Sequence, residues 1–157
     1  MFAQQSLAQG LLTEISATPL YPIGAVRFST DGTKSYRYVR AGAVNIAAGA
    51  VVIGTSDATP FSAVVISALA TGPNQMVIGV ATNAITALYY GFIQKTGATP
   101  ATTALESATV AAGDPLEPSS TTDGRFDIAA ATSLGNSIAW CLTDGGSDAG
   151  AVMLDCP

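Results

Sequence analysis

The sequence predicts a mainly β protein, a small β-barrel or β-sandwich, and three observations predict it. From Tyr21 onward, β-branched and aromatic residues alternate with small polar ones. Gly, Pro, Asn and Asp punctuate these runs at short intervals. No long amphipathic helical period lies between them, which argues against a doubly wound α/β sheet.

Residues 1–14 are the one stretch without strand character, being Gln-rich and free of Pro, with Leu7, Leu11, Leu12 and Ile15 at roughly helical spacing. Residues 1–20 are therefore expected to form an extended or short-helical N-terminal arm, ahead of a β-rich domain over residues 21–157. Residues 25–29, a turn at Asp31-Gly32 and residues 35–40 read as a hairpin. In its second strand Tyr36, Tyr38 and Arg40 share one face, while Arg37 and Val39 share the other. With Arg27 and Lys34, the residues Tyr36, Arg37, Tyr38 and Arg40 are expected to make a basic, aromatic docking surface. Further strands are expected at residues 51–53, 63–68, 76–82, 88–94, 127–130, 137–143 and 151–154. Turn clusters at 71–74, 95–97, 119–124 and 144–147 separate them. Residues 99–107 leave room for one short helix, although their Thr content counts against it.

An internal echo runs through these elements. The run from Asn45 through Ala47-Ala48-Gly49 to Val51 parallels the run from Thr109 through Ala111-Ala112-Gly113 to Pro115, and Ile78-Gly79-Val80-Ala81 parallels Ile138-Ala139-Trp140-Cys141. Two related β lobes, at about 41–84 and 108–144, would explain it, and so would chance reuse of one turn.

Apolar residues make up 48% of the 157, and charged residues only 11%, where about 25% charged is usual. Such a surface is covered either by small polar residues or by other subunits. The longest apolar runs are broken by Asn45, Gly49 and Ser67, too short to span a bilayer. The first residues lack the basic and apolar regions of a secretory signal, so the chain is expected to stay in the cytoplasm where it is made until assembly.

The formal charge is −5, and it is unevenly spread. Arg27, Lys34, Arg37 and Arg40 are four of the six basic residues, whereas two basic and nine acidic residues follow Arg40. A basic N-terminal segment on an acidic body suits docking onto an acidic protein surface. Ordinary solvated strand charges would produce the same pattern. Nucleic acid is an unsuitable partner, because its binding is driven largely by phosphate neutralisation.

The chain has no histidine, which removes Ser-His-Asp and Cys-His nucleophiles and most zinc sites. Asp123 and Asp127 flank Gly124-Arg125-Phe126 as a turn and strand start, and residues 144–148 read as a hairpin turn lacking the ligand pattern of a calcium loop. No enzyme activity, cofactor or metal is expected. Cys141 reads as a buried small hydrophobe; Cys156 is free or pairs with it. In Ala111-Ala112-Gly113-Asp114-Pro115-Leu116, Gly113 suits a positive φ, Asp114 a local amide, and Pro115 the entry to an edge strand.

The second half, from Tyr90-Gly91-Phe92 through Val110-Ala111-Ala112-Gly113-Asp114-Pro115-Leu116 to Gly124-Arg125-Phe126 and Ala139-Trp140, resembles the small head-decoration or capsid-cement proteins of tailed bacteriophages. Ala139-Trp140 departs from the small residues usual in that pattern. The resemblance implies a structural virion protein on the capsid exterior, often trimeric, that bridges neighbouring major capsid proteins. A module of a phage head or tail fibre, or of a surface adhesin, is the alternative.

Overall fold

A computed structural model describes residues 12–54, 61, 65–66, 77–100, 103–106, 110–119, 122–129, 139–143 and 149–156. Among these residues strand accounts for 47% and helix for 2%. The strands are β1 (Val26–Phe28), β2 (Ser35–Arg40), β3 (Val51–Ile53), β4 (Val65–Ile66), β5 (Val77–Val80) and β6 (Tyr90–Ala98). They continue with β7 (Thr103–Ala104), β8 (Pro115–Pro118), β9 (Phe126–Ile128), β10 (Ala139–Cys141), β11 (Ala149–Gly150) and β12 (Val152–Asp155). Ten of them form one antiparallel sheet in the order β4-β3-β5-β6-β12-β10-β8-β9, with β2 also on β6 and β1 on β2; β7 and β11 form a separate pair.

That order is a four-strand unit followed by its reversed copy, and the registers match. In the first unit Val51 faces Val80 and Val52 faces Gly79. In the second, Pro115 faces Trp140 and Leu116 faces Ala139. Outside them, Val52 faces Ile66 as Leu116 faces Ile128. The Ala-Ala-Gly turns repeat each hydrogen bond: the Gly49 amide donates to the Ala81 carbonyl (2.7 Å) and the Gly113 amide to that of Cys141 (2.8 Å), while the amides of Ala81 and Cys141 donate back to Ala50 (3.0 Å) and Asp114 (2.9 Å). Both glycines have positive φ, 84° and 94°, which a Cβ would strain. The repeat extends to β2 and β7, since Val39–Arg40 on Gly91–Tyr90 is matched by Thr103–Ala104 on Gly150–Ala149. The second unit thus begins earlier than the echo at residue 108 suggests.

The expected short helix at 99–107 is replaced by β7. Thr103 lies opposite Gly150 and is buried, with its hydroxyl donating to Thr99 Oγ1 at 2.7 Å. β-branched residues favour this pleated, packed setting over a helical turn. Of the N-terminal segment, residues 1–11 lie outside the described residues. Leu12 and Thr13 make a single 3₁₀ turn. Leu12 packs with Tyr38 and Phe92, Ile15 packs on the Val39–Ile93 cluster, and Ser16 bridges to Tyr90. The expected turns at 71–74 and 144–147 lie outside the described residues.

The two units are stacked. The first unit's inner side, Val52, Ile78 and Ile93, forms one core with Ala41, Ile46 and Ile85. Its other side, Val51, Ile53, Val77 and Val80, shares a second core with Leu116, Phe126, Ala139, Val152 and Leu154 of the second unit. One continuous sheet manages this because the alternation of faces is broken along β6. The β2–β6 register shifts between Ser35 and Tyr36, a bulge that re-aims the following side chains. Gln94 holds the bend: its buried Nε2 lies within 3.2, 3.1 and 3.0 Å of the carbonyls of Thr96, Gly97 and Ala98. Residues 90–94 then pair with β2 and 96–98 with β12.

Candidate docking surface

The hairpin that was expected to present the basic, aromatic surface forms at the expected place, with Val26 opposite Arg37 and Phe28 opposite Ser35. Its second strand, however, lies between β1 and β6, and only Tyr36 and Arg40 on it are partly open to solvent. Tyr38 is 1% exposed and Val39 is fully buried. The Tyr38 ring sits at the centre of an aromatic cluster, 5.2 Å from Tyr21, 6.1 Å from Tyr90 and 4.9 Å from Phe92, and its hydroxyl accepts the Leu20 amide at 3.0 Å. Arg37 is 9% exposed, with its guanidinium 4.4 Å from the Phe61 ring and its Nε without a hydrogen-bond partner. Burial pulls its pKa below the ordinary arginine value. Tyr38 and Arg37 are therefore framework, while Arg27, Lys34, Tyr36 and Arg40 stay half-buried.

The remaining cations lie over the aromatic cluster or at its rim. Arg27 stacks 5.5 Å from Tyr21, and Arg40 stacks 5.8 Å from Tyr90 while donating from Nε to the Leu88 carbonyl at 3.3 Å. Such stacking holds guanidinium groups in place without neutralising them. Tyr36 packs against the cluster, and both Lys34 and Tyr36 are half-buried. Burial, and then the Asp31 carboxylate, push the Tyr36 phenol above its ordinary pKa. Asp31 is tied into its turn by the Ser29 hydroxyl (2.5 Å) and the Thr33 amide (3.0 Å), which hold its carboxyl down at about 2. Among the described residues, no carboxylate forms an ion pair with Arg27, Arg37 or Arg40.

The turn at 110–115 is as its residue types require in two of three respects. Gly113 has φ 94°, and Asp114 Oδ2 accepts the Ala111 amide at 2.8 Å. Pro115 opens β8, but β8 is not an edge strand, for it pairs with both β9 and β10. Proline is tolerated there because the first residue of a strand can forgo its ladder donor. Both cysteines are free and buried. Cys141 donates from Sγ to the Thr143 carbonyl at 2.8 Å, and burial pushes the Cys156 thiol up to about 12 against the opposing field of Arg37.

A second surface was not singled out by the sequence. On the outward face of the second unit, Met153, Trp140 and Pro115 stand side by side across β12, β10 and β8. Trp140 is 42% exposed and Met153 39%. One step along the same strands, on the same face, are Asp155 and Glu117, with Asp127 opposite Glu117. The one signal in the sequence was a tryptophan standing between small residues in Ala139-Trp140-Cys141.

No metal-binding group of three or more acidic or cysteine side chains occurs among the described residues, and none of their helices is long and apolar enough to cross a membrane. No protein-family model, curated protein or solved structure matches the chain.

Proposed function

We propose that this chain is a structural, non-enzymatic virion protein that binds the outside of a phage capsid and stabilises contacts between major capsid proteins. The observation that carries the reading is Arg27, stacked on the aromatic cluster, with Lys34 half-buried in the same hairpin; among the described residues neither has an acidic partner. Unneutralised, pre-positioned charge of one sign fits an acidic protein surface and costs little further ordering on docking. The resemblance of residues 90–142 to decoration proteins supplies the kind of surface, and the all-β, sparsely charged body agrees with a repeated lattice element. Many modest contacts repeated over a shell would resist internal pressure through avidity. The major capsid protein is the partner in this reading, a homo-oligomer, most simply a trimer, is the working unit, and the virion exterior is its location.

The test is to mix the purified protein with expanded, undecorated phage shells, pellet them, and measure bound protein and the temperature at which the shells burst. Binding with a raised burst temperature is the expected result, and absence of co-pelleting refutes the proposal. Charge reversal at Arg27 and Lys34 should lower occupancy while the protein remains folded. Reversal at Arg37 is unsuitable, since it would place an unpaired carboxylate in a buried site.

A further inference from the structure

The internal repeat exposes an inconsistency in how the two units are covered. In the first unit, the row Val51, Val80, Gln94 is buried, and its valines lie in the core shared with the second unit. In the corresponding row of the second unit, Trp140 and Met153 are exposed and Pro115 is half-buried. The row is still apolar, it carries the only tryptophan of the chain, and it is edged by Asp155, Glu117 and Asp127. A large aromatic beside a flexible thioether, edged by charge, is the composition of an interface centre.

The other half of such an interface is present in the turns of the first unit that flank β3 and β6. Val44 is 54% exposed, Leu88 53% and Tyr89 38%. Two turns bring them together. The Leu88 amide donates to the Gly42 carbonyl (2.9 Å) and the Ala87 amide to Asn45 Oδ1 (2.8 Å). Tyr89 closes back on the Thr86 carbonyl at 3.0 Å. Leu88 has φ 67° and is the only non-glycine residue with positive φ among the described residues. A bulky side chain rarely adopts that backbone, and here it is held there while its apolar group faces water. Strain that persists at an exposed apolar knob points to a contact in which the knob is covered. Arg40, bonded to the Leu88 carbonyl, supplies a cation at its base.

We infer that the Val44–Leu88–Tyr89 knob of one copy seats on the Trp140–Met153 face of a second copy, with Arg40 meeting the acidic row of Asp155, Glu117 and Asp127. Apolar knob meets apolar face, and cation meets carboxylates, so the two surfaces complement each other in both respects. Because they are different patches of one chain, the contact is head-to-tail, and repeated application closes a ring if the rotation allows. The inference stands without any shell and does not use Arg27 or Lys34.

The experiment is sedimentation velocity and light scattering on the full chain over a range of protein concentrations, with no shells present. Wild type is expected to assemble, more weakly at high salt. Trp140→Glu and Leu88→Asp should each weaken assembly by roughly tenfold or more, the size of losing an anchor at an interface centre. Leu88→Gly should do the same while unfolding at an equal or higher temperature, which separates loss of contact from loss of fold. An equimolar mixture of Trp140→Glu and Leu88→Asp should form a dimer and nothing larger, since each variant keeps one intact half. A wild type that is monomeric throughout, an assembly indifferent to these substitutions, or a mixture that makes no dimer would each overturn the inference. Failure here with retained shell binding would leave the decoration reading intact; the reverse outcome would leave this contact intact.

Discussion

Gln94→Glu is the substitution that tests the fold most sharply, because it changes almost no volume and reverses the hydrogen-bonding sense of a fully buried group. Wild-type Nε2 lies 3.0 to 3.2 Å from three carbonyl oxygens, those of Thr96, Gly97 and Ala98, and Oε1 has no partner. A glutamate must either place a carboxylate against those three oxygens or take up a proton and donate one hydrogen bond. A buried carboxylate in this position forfeits a donor and is repelled by the carbonyl dipoles. Leaving buried polar groups unsatisfied costs about 1–3 kcal/mol each, more for charged ones. The folded state therefore holds the carboxyl protonated and raises its pKa above the unfolded value of about 4.3. Between those two pKa values the folded state binds a proton that the unfolded state does not, so the variant loses stability relative to wild type by about 1.4 kcal/mol per pH unit as pH rises. Urea unfolding of both proteins between pH 5 and 7 measures the difference. We expect a deficit of at least about 2 kcal/mol at pH 7 that shrinks towards pH 5. Gln94→Met, which has no titrating group, should show a deficit independent of pH. A Gln94→Glu variant as stable as wild type, or one whose deficit does not change with pH, would refute the assigned role of the amide in shaping β6.

Two further predictions concern positions near that bend. Gly97 has φ 89°, and a Cβ there would stand 2.4 Å from the Thr33 carbonyl oxygen; Gly97→Ala should lower stability in urea by at least about 2 kcal/mol through backbone strain and overlap. Cys141 and Cys156 are both buried, and the Cys156 thiol is pushed up to about 12. Neither should react with Ellman's reagent at pH 8 until denaturant is added, when both should; prompt native-state labelling would contradict the burial.

Strand positions were legible because their cues are local. The hairpin from Val26 to Arg40, the strands at 51–53, 77–80, 139–141 and 152–155, and the turn at Gly113 rest on alternation, on Asp-Gly and Ala-Ala-Gly turn chemistry, and on β-branched content. β7 was missed because two residues against Gly150 leave no period to read, and only the long-range pairing makes Thr103 a strand residue. The Ala-Ala-Gly echo was visible for the same local reason that it folds: in both copies the glycine amide must turn back onto the strand that follows next in the unit.

Alternation in the sequence assigns Tyr36, Tyr38 and Arg40 to one face of β2 and Arg37 and Val39 to the other. It contains no information on which face, if either, meets water. That was decided by β2 lying between β1 and β6, by the bulge and Gln94 turning β6 between two partners, and by one unit stacking its outer side on the other unit's inner side. Burial is a property of layers, and layers are made by residues distant in the chain. The amino-acid sequence by itself therefore determined a mainly β chain without histidine chemistry and with its cations gathered in one segment. Only the tertiary structure decided that Tyr38 and Arg37 are framework while Trp140, Met153 and Leu88 are surface.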